Sequence, residues 1–198
     1  MTADQAAADL SAAVREARGG DEEAFRQLYR QVQPGLLRYL RGLVGDDAED
    51  LASETWLQIA RDMRSFRDEG AGFRGWALTI ARHRALDHVR RNQRRPVTGV
   101  PVDVLADLPD DQDTAEQAIR LATTNATIAF IATLPRDQAE AVLLRVVVGL
   151  DVKATAKVMG KRPGAVRTAA WRGLRTLAER LTSTGVTRAG AGTPREVR

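Results

Sequence analysis

The sequence predicts an all-α chain of two small helical domains joined by an acidic flexible linker, and three observations carry that prediction. Apolar residues recur at helical spacing along most of the 198 residues. No segment sustains two-residue alternation, and the β-branched run Val146 to Val148 is too short to found a sheet. Residues 96–114 lack any period and contain Pro96, Pro101 and Pro109 with five aspartates, so they read as a linker. The chain then divides into an N-terminal extension 1–19, a first domain 20–95, the linker, a second domain 115–182 and a disordered tail 183–198.

The elements follow in order. Asp21 caps a helix whose first turn carries Glu22 and Glu23, where the helix dipole favours acids. Phe25, Leu28, Tyr29 and Val32 form its apolar stripe. After Pro34 a second stripe runs through Leu36, Leu37, Leu40, Leu43 and Val44 and stops at Gly45. A third helix, about Asp47 to Arg64, buries Ala52, Thr55, Trp56, Ile59 and Met63 and turns its acids outward; a fourth runs from about Gly75 to Asn92. Beyond the linker, helices resume near Thr114, a suitable cap, and continue as Arg136–Val148, Val152–Met159 and Pro163–Leu181.

Composition removes several classes of function. Apolar residues make up 43% and charged residues 28%, the balance of a globular chain. Cysteine is absent, which excludes disulfide frameworks, zinc ribbons and thiol nucleophiles. Two histidines, His83 and His88, five apart, make a poor metal pair. No apolar run is long enough to span a bilayer, and MTADQAAADL has neither the basic start nor the apolar core of a secretory signal, so a cytoplasmic protein without membrane insertion is expected.

Charge comes in blocks. Residues 46–60 carry five acids and no base; 74–95 carry seven arginines against Asp87; 96–120 carry six acids against Arg120; 151–180 carry eight bases against two acids. Two basic blocks around an acidic linker suggest two modules that each meet a polyanion. In the second block, Asp151 caps a short helix, Gly160 makes a turn and Pro163 opens the next helix. That helix is expected to bury Val166, Ala170, Gly173, Leu174 and Leu177. Its other face shows Gly164, Arg167, Thr168, Trp171, Arg172 and Arg175, the pattern of a helix-turn-helix whose second helix enters a major groove. In the first block, the segment FRDEGAGFRGW feeds an arginine-rich helix (Arg82, Arg84, Arg90, Arg91, Arg94, Arg95). Aromatics beside arginines suit single-stranded nucleic acid, although Phe66 and Trp76 serve equally well as core anchors. Asp87 is placed to brace Arg84 and Arg91 at i−3 and i+4.

Four segments in order, DEEAFRQLYR, DAEDLASETWLQIA, FRGWALTIARHRALDHVRR and LPRDQAEAVLLRVVVGLDVKATAKVMGKRPGAVRTAAWRGLRTLAERL, resemble the extracytoplasmic-function (group 4) bacterial RNA polymerase sigma factors over residues 20–182. The resemblance implies a protein without a catalytic site or cofactor that binds core RNA polymerase and directs promoter-specific initiation. By that likeness Asp47, Glu49, Asp50, Glu54 and Gln58 dock on the β′ clamp helices. Gly70, Ala71, Gly72, Phe73, Arg74, Arg84 and Arg91 open and hold the −10 element. Arg162, Gly164, Arg167, Thr168, Trp171, Arg172 and Arg175 read the −35 element. The second domain also meets the β flap, the linker threads toward the active site, and an anti-sigma factor is a further partner. Ala169 stands where such proteins often carry Arg, and Trp171 where they carry His or Phe. Two other readings remain open at this level: a ligand-gated helix-turn-helix repressor, and a nucleic-acid enzyme holding magnesium on Asp46, Asp47, Glu49, Asp50 and Glu54.

Overall fold

The computed structural model describes residues 3–67, 72–94 and 115–183, which form eight α-helices and, among the described residues, no strand. Gly70, Ala71, Thr114, the linker 96–114 and the tail beyond Ser183 lie outside them.

Helix α1 (Ala3–Gly19) occupies most of what the sequence marks only as an extension. Leu10, Ala13, Val14 and Ala17 fall at i, i+3, i+4 and i+7 and pack on the first core, so α1 is part of that bundle. Its stripe is half alanine, too weak an apolar signal to stand out.

The two stripes flanking Pro34 belong to one helix, α2 (Glu22–Val44), where a break was expected. Pro34 lacks the N–H that would bond the Arg30 carbonyl, but it faces solvent, where water takes its place. Val32 and Leu36 are buried on either side of it and hold the helix together. Asp21 caps α2, its Oδ1 accepting from Ala24 N at 2.7 Å. Helix α3 (Ala48–Asp62), followed by a 3₁₀ turn Met63–Ser65, buries Leu51, Ala52, Thr55, Trp56 and Ile59. The Thr55 hydroxyl donates to the Leu51 carbonyl at 2.6 Å, which satisfies it within the core.

Helix α4 (Gly72–Arg94) starts three residues earlier than expected, so Gly72, Phe73 and Arg74 are its first turn and not a loop. Phe73 points inward and joins Phe66, Trp56 and Trp76, with ring centroids 4.8 to 6.4 Å apart.

The second half comprises α5 (Ala115–Ala132), α6 (Arg136–Val142), α7 (Val152–Met159) and α8 (Pro163–Ser183). Between α6 and α7 the helix widens into a π turn, Leu143–Val147, with Val148 N donating to the Leu143 carbonyl at 2.9 Å. Asp151 caps α7 through Oδ1 to Ala154 N at 2.8 Å. Gly160 closes it at φ 64°, a conformation only glycine adopts without strain, and Lys161 N donates back to the Ala156 carbonyl at 2.9 Å. Helices α6 and α8 approach closely at Gly173, where a Cβ would lie 2.9 Å from a methyl of Val142. Replacing Asp151 by Ala should cost about 1 kcal/mol by loss of the cap, read as a lowered urea midpoint with unchanged slope.

Two corrections concern packing. Leu174, expected inside, is 45% exposed, and Ala170 is only half-buried; Val166, Gly173 and Leu177 carry the inner face of α8. The two domains also pack against each other. Tyr39 of α2 and Leu78 of α4 belong to the second core, among residues of α5 to α8.

Candidate nucleic-acid interface

The helix-turn-helix is built by its caps. Asp151 starts α7, the left-handed Gly160 reverses the chain, and Pro163 opens α8 with the preset φ of a first helical residue. Val166 and Leu177 anchor α8 inward. All seven residues assigned to duplex reading, Arg162, Gly164, Arg167, Thr168, Trp171, Arg172 and Arg175, are exposed. Trp171 is 60% exposed, and the Arg175 guanidinium lies 5.6 Å from its ring centroid while its Nε donates to Glu179 at 2.7 Å. Arg175 is therefore held locally, and Arg167 and Arg172 extend beside it on the open face. Ala169 is half-buried against the second core. A three-residue turn and a cationic helix with an outward tryptophan are suited to a DNA groove.

Asp47, just before α3, and Glu49, Asp50 and Glu54 on it are exposed, and Gln58 is half-buried. Neighbouring helices hold this set in place. His88 Nε2 of α4 lies 2.8 Å from Asp47 Oδ2, and Arg41 of α2 pairs with Glu49. Arg84 donates to Glu54 at 2.6 Å and to Gln58 Oε1 at 2.9 and 3.1 Å. Among the described residues no group of three acids or histidines is placed to hold a metal ion. Leu57 sits amid these acids at 59% exposure. It has the anatomy of an interface centre, an apolar residue inside a charged rim, and its i+3 spacing from Glu54 and i+7 from Asp50 is readable in the sequence.

The residues expected around the −10 element are split. Gly72, Phe73 and Arg74 open α4, and Phe73 is buried in the aromatic cluster, so in this arrangement it offers no free stacking face. Arg84 is tied instead to the acidic face of α3, while Arg91 is exposed further along α4. Asp87 braces Arg90 at 3.3 Å, not Arg84 or Arg91. Beside the start of α4 a cleft of about 560 Å³ is lined by Phe66, Arg67, Trp76, Arg82, His83 and, from the second domain, Lys157. It joins aromatic and cationic groups.

One cluster has no counterpart in the sequence reading. Glu140 of α6 is 1% exposed and receives three donors from the first domain. The Tyr39 hydroxyl donates to Oε1 at 2.9 Å, Arg82 Nε donates to the same oxygen, and Arg82 Nη2 reaches Oε2 at 3.4 Å. Burial, reinforced by the Glu140 charge, pushes the Tyr39 phenol well above its usual value, so it stays protonated and donates. Burial alone would pull Arg82 down, but the hydrogen bond and charge of Glu140 outweigh it and its affinity for the proton rises. The available signal was a lone acid in the apolar run AEAVLL.

These elements define an all-α, two-module nucleic-acid-binding protein. Residues 28–95 match the Sigma-70 region 2 family and residues 125–177 match Sigma-70, region 4. The chain is 35% identical over 182 residues to the ECF RNA polymerase sigma factor BldN of Streptomyces coelicolor, covering 90% of this chain and 68% of that one. It is 36% identical over 182 residues to ShbA, an ECF sigma factor of Streptomyces griseus, covering 86% and 95% respectively. Among solved structures, the sigma factor RpoE of Bartonella quintana, in complex with the anti-sigma factor NepR, aligns at TM-score 0.63 with 24% identity over 80% of this chain and 96% of that one, a likeness of fold. The chain belongs to the ECF RNA polymerase sigma factors and directs promoter-specific transcription initiation. That decides between sigma factor and repressor.

Proposed function

We propose that the chain acts in the cytoplasm by dividing promoter recognition between its modules, with the chemistry left to the polymerase. The α3 face of Asp47, Glu49, Asp50, Leu57 and Glu54, with Gln58, docks on the β′ clamp helices of core enzyme. The start of α4, with Gly70, Ala71, Gly72, Phe73 and Arg74, and the later Arg84 and Arg91, engages the −10 element as it opens. The exposed face of α8 reads the −35 element, and the second domain also meets the β flap. An anti-sigma factor restrains the protein, as relatives of this fold are bound by such proteins. The observation that carries the reading is the open face of α8 with the turn before it, where all seven assigned residues are exposed while Val166 and Leu177 lock the helix from behind.

Run-off transcription on genomic promoter fragments, with core polymerase alone and with the protein added, tests it. Discrete start sites that need the protein are expected. Their absence, together with tight binding of duplex DNA by the free protein, would overturn the reading. On promoters so mapped, Arg167→Ala and Arg172→Ala should each weaken recognition by about 1–3 kcal/mol if the side chain makes a good base contact. Unchanged −35 dependence in both variants would remove α8 as the reader.

A further inference from the structure

We infer that Trp171, Arg175 and Glu179 form a preset phosphate clamp on α8. Arg175 grips the sugar-phosphate backbone of the −35 duplex, Trp171 is its platform, and Glu179 is the positioning residue that aims it. This rests on the reading of α8 as the −35 reader and divides the labour on its open face.

The three side chains stand at i, i+4 and i+8, so they follow one line along the helix. Arg175 lies about two and a half turns beyond the buried Val166, which turns it directly away from the core. Its Nε donates to Glu179 Oε1 at 2.7 Å, and its guanidinium lies 5.6 Å from the centroid of the Trp171 ring. With Nε engaged by the carboxylate, the two Nη groups are left as a fork, a geometry that matches two oxygens of a phosphate. Arg167 and Arg172 have no such hold among the described residues, and Arg180 donates sideways to the Thr133 hydroxyl at 2.6 Å.

Position along the helix separates the roles. A recognition helix contacts base edges with its N-terminal residues. At 1.5 Å per residue Arg175 is about 18 Å from the start of α8, farther than the roughly 12 Å width of a major groove, so it stands over the groove wall. A phosphate there carries no sequence information and is present in every duplex, so a guanidinium can be set for it in advance.

Glu179 is the single acid of α8, against four arginines. Helix stability gives no reason for it. An acid placed four residues after a base is the weaker orientation of such a pair, and an acid near the C-terminal end of a helix opposes the dipole. Close to DNA it also repels phosphate. Fixing Arg175 is the favourable contribution its geometry allows.

The two roles open to Glu179 predict opposite signs. Holoenzyme is titrated onto a fluorescent promoter duplex with the mapped −35 element and onto one with that element scrambled, the −10 element kept in both, at about 50 and 200 mM salt. Arg175→Gln should weaken binding to both duplexes by the same factor and make the slope of log affinity against log salt shallower by about 0.9, one phosphate contact. Glu179→Ala should weaken both by about threefold or more, because the arginine must then be immobilised on binding. Glu179→Gln, whose amide oxygen still accepts from Nε, should restore the affinity. In the Arg175→Gln background, Glu179→Ala should no longer weaken binding. All these side chains are exposed, and circular dichroism checks that helicity is retained. Tightening by both Glu179→Ala and Glu179→Gln would make Glu179 a purely repulsive acid and overturn the clamp. An unchanged salt slope in Arg175→Gln, or a loss confined to the intact −35 element, would overturn it too. If wild-type holoenzyme binds the two duplexes equally, the reading of α8 itself fails. The clamp alone fails when wild type tells them apart and the variants give either overturning result.

Discussion

Trp56→Ala should lower the unfolding free energy by about 3–5 kcal/mol, the largest stability effect expected of a single residue in the first domain. Typical domains hold only about 5–15 kcal/mol, so the variant is expected to populate unfolded forms at moderate temperature. The ring fills the space between three helices. Its centroid lies 4.8 Å from Tyr29 and 5.8 Å from Phe25, both on α2, and 6.4 Å from Phe73 on α4, while its Nε1 donates to Gln33 Oε1 at 2.6 Å. Truncation loses the dispersion contacts of a large aromatic, leaves a cavity that three rigid helices cannot close, and strands a glutamine oxygen. Trp171→Ala is the matched control. That side chain stands on the open face of α8, so its removal should shift stability by less than about 0.5 kcal/mol. Urea unfolding followed by far-UV circular dichroism reads both. A Trp56→Ala loss below about 1 kcal/mol would mean that α1 to α4 do not close around this ring.

Reversing Asp50 and Glu54 to lysine should remove holoenzyme assembly while leaving the fold intact. Like charges brought face to face across an interface cost several kcal/mol, and each 1.4 kcal/mol is about tenfold in affinity, so a loss of about a hundredfold or more is expected. The fold should survive because both side chains are exposed, and Glu54 contributes only a surface pair with Arg84, of a kind worth about 0–1 kcal/mol. Arg84 also keeps its hydrogen bonds to Gln58. Leu57→Ala should weaken assembly without any change of charge, which separates the apolar centre of the face from its rim. Reversal of Glu22 and Glu23, also exposed but at the start of α2, is the control for net charge. Co-elution with core polymerase on gel filtration at two salt concentrations is the measurement. Assembly by the Asp50, Glu54 variant at wild-type levels would place the docking face elsewhere.

Local information determined a large part of this protein. The apolar periods, the Asp21 and Asp151 caps, the Gly160 turn and Pro163 each act within one or two helical turns, and the structure shows them in the roles their chemistry implies. The exposed cationic face of α8 was legible for the same reason, since one helix turned outward needs no partner to define it. Where local signals were weak or ambiguous, the reading departed from the structure. Alanines on α1 carry too little apolar contrast. Pro34 announced a break that buried neighbours on both sides overrode. The glycines before Phe73 suggested a loop, although the ring's burial against Phe66 and Trp56 draws the first turn of α4 back to Gly72. Asp87 had acceptable partners at i−3 and i+4 and found Arg90 instead, because Arg84 was already taken by α3.

The domain contact lay beyond any local reading. Tyr39 and Glu140 stand 101 residues apart, and nothing in either neighbourhood names the other. Periodicity states that a face will be covered, because apolar surface leaves water wherever a helix can turn it inward. It does not state by what, because burial is non-directional and many surfaces satisfy it. Only the assembled structure chose the partner, through the fit of Gly42 to Leu143 and the need of a buried carboxylate for donors that no residue of its own helix supplies.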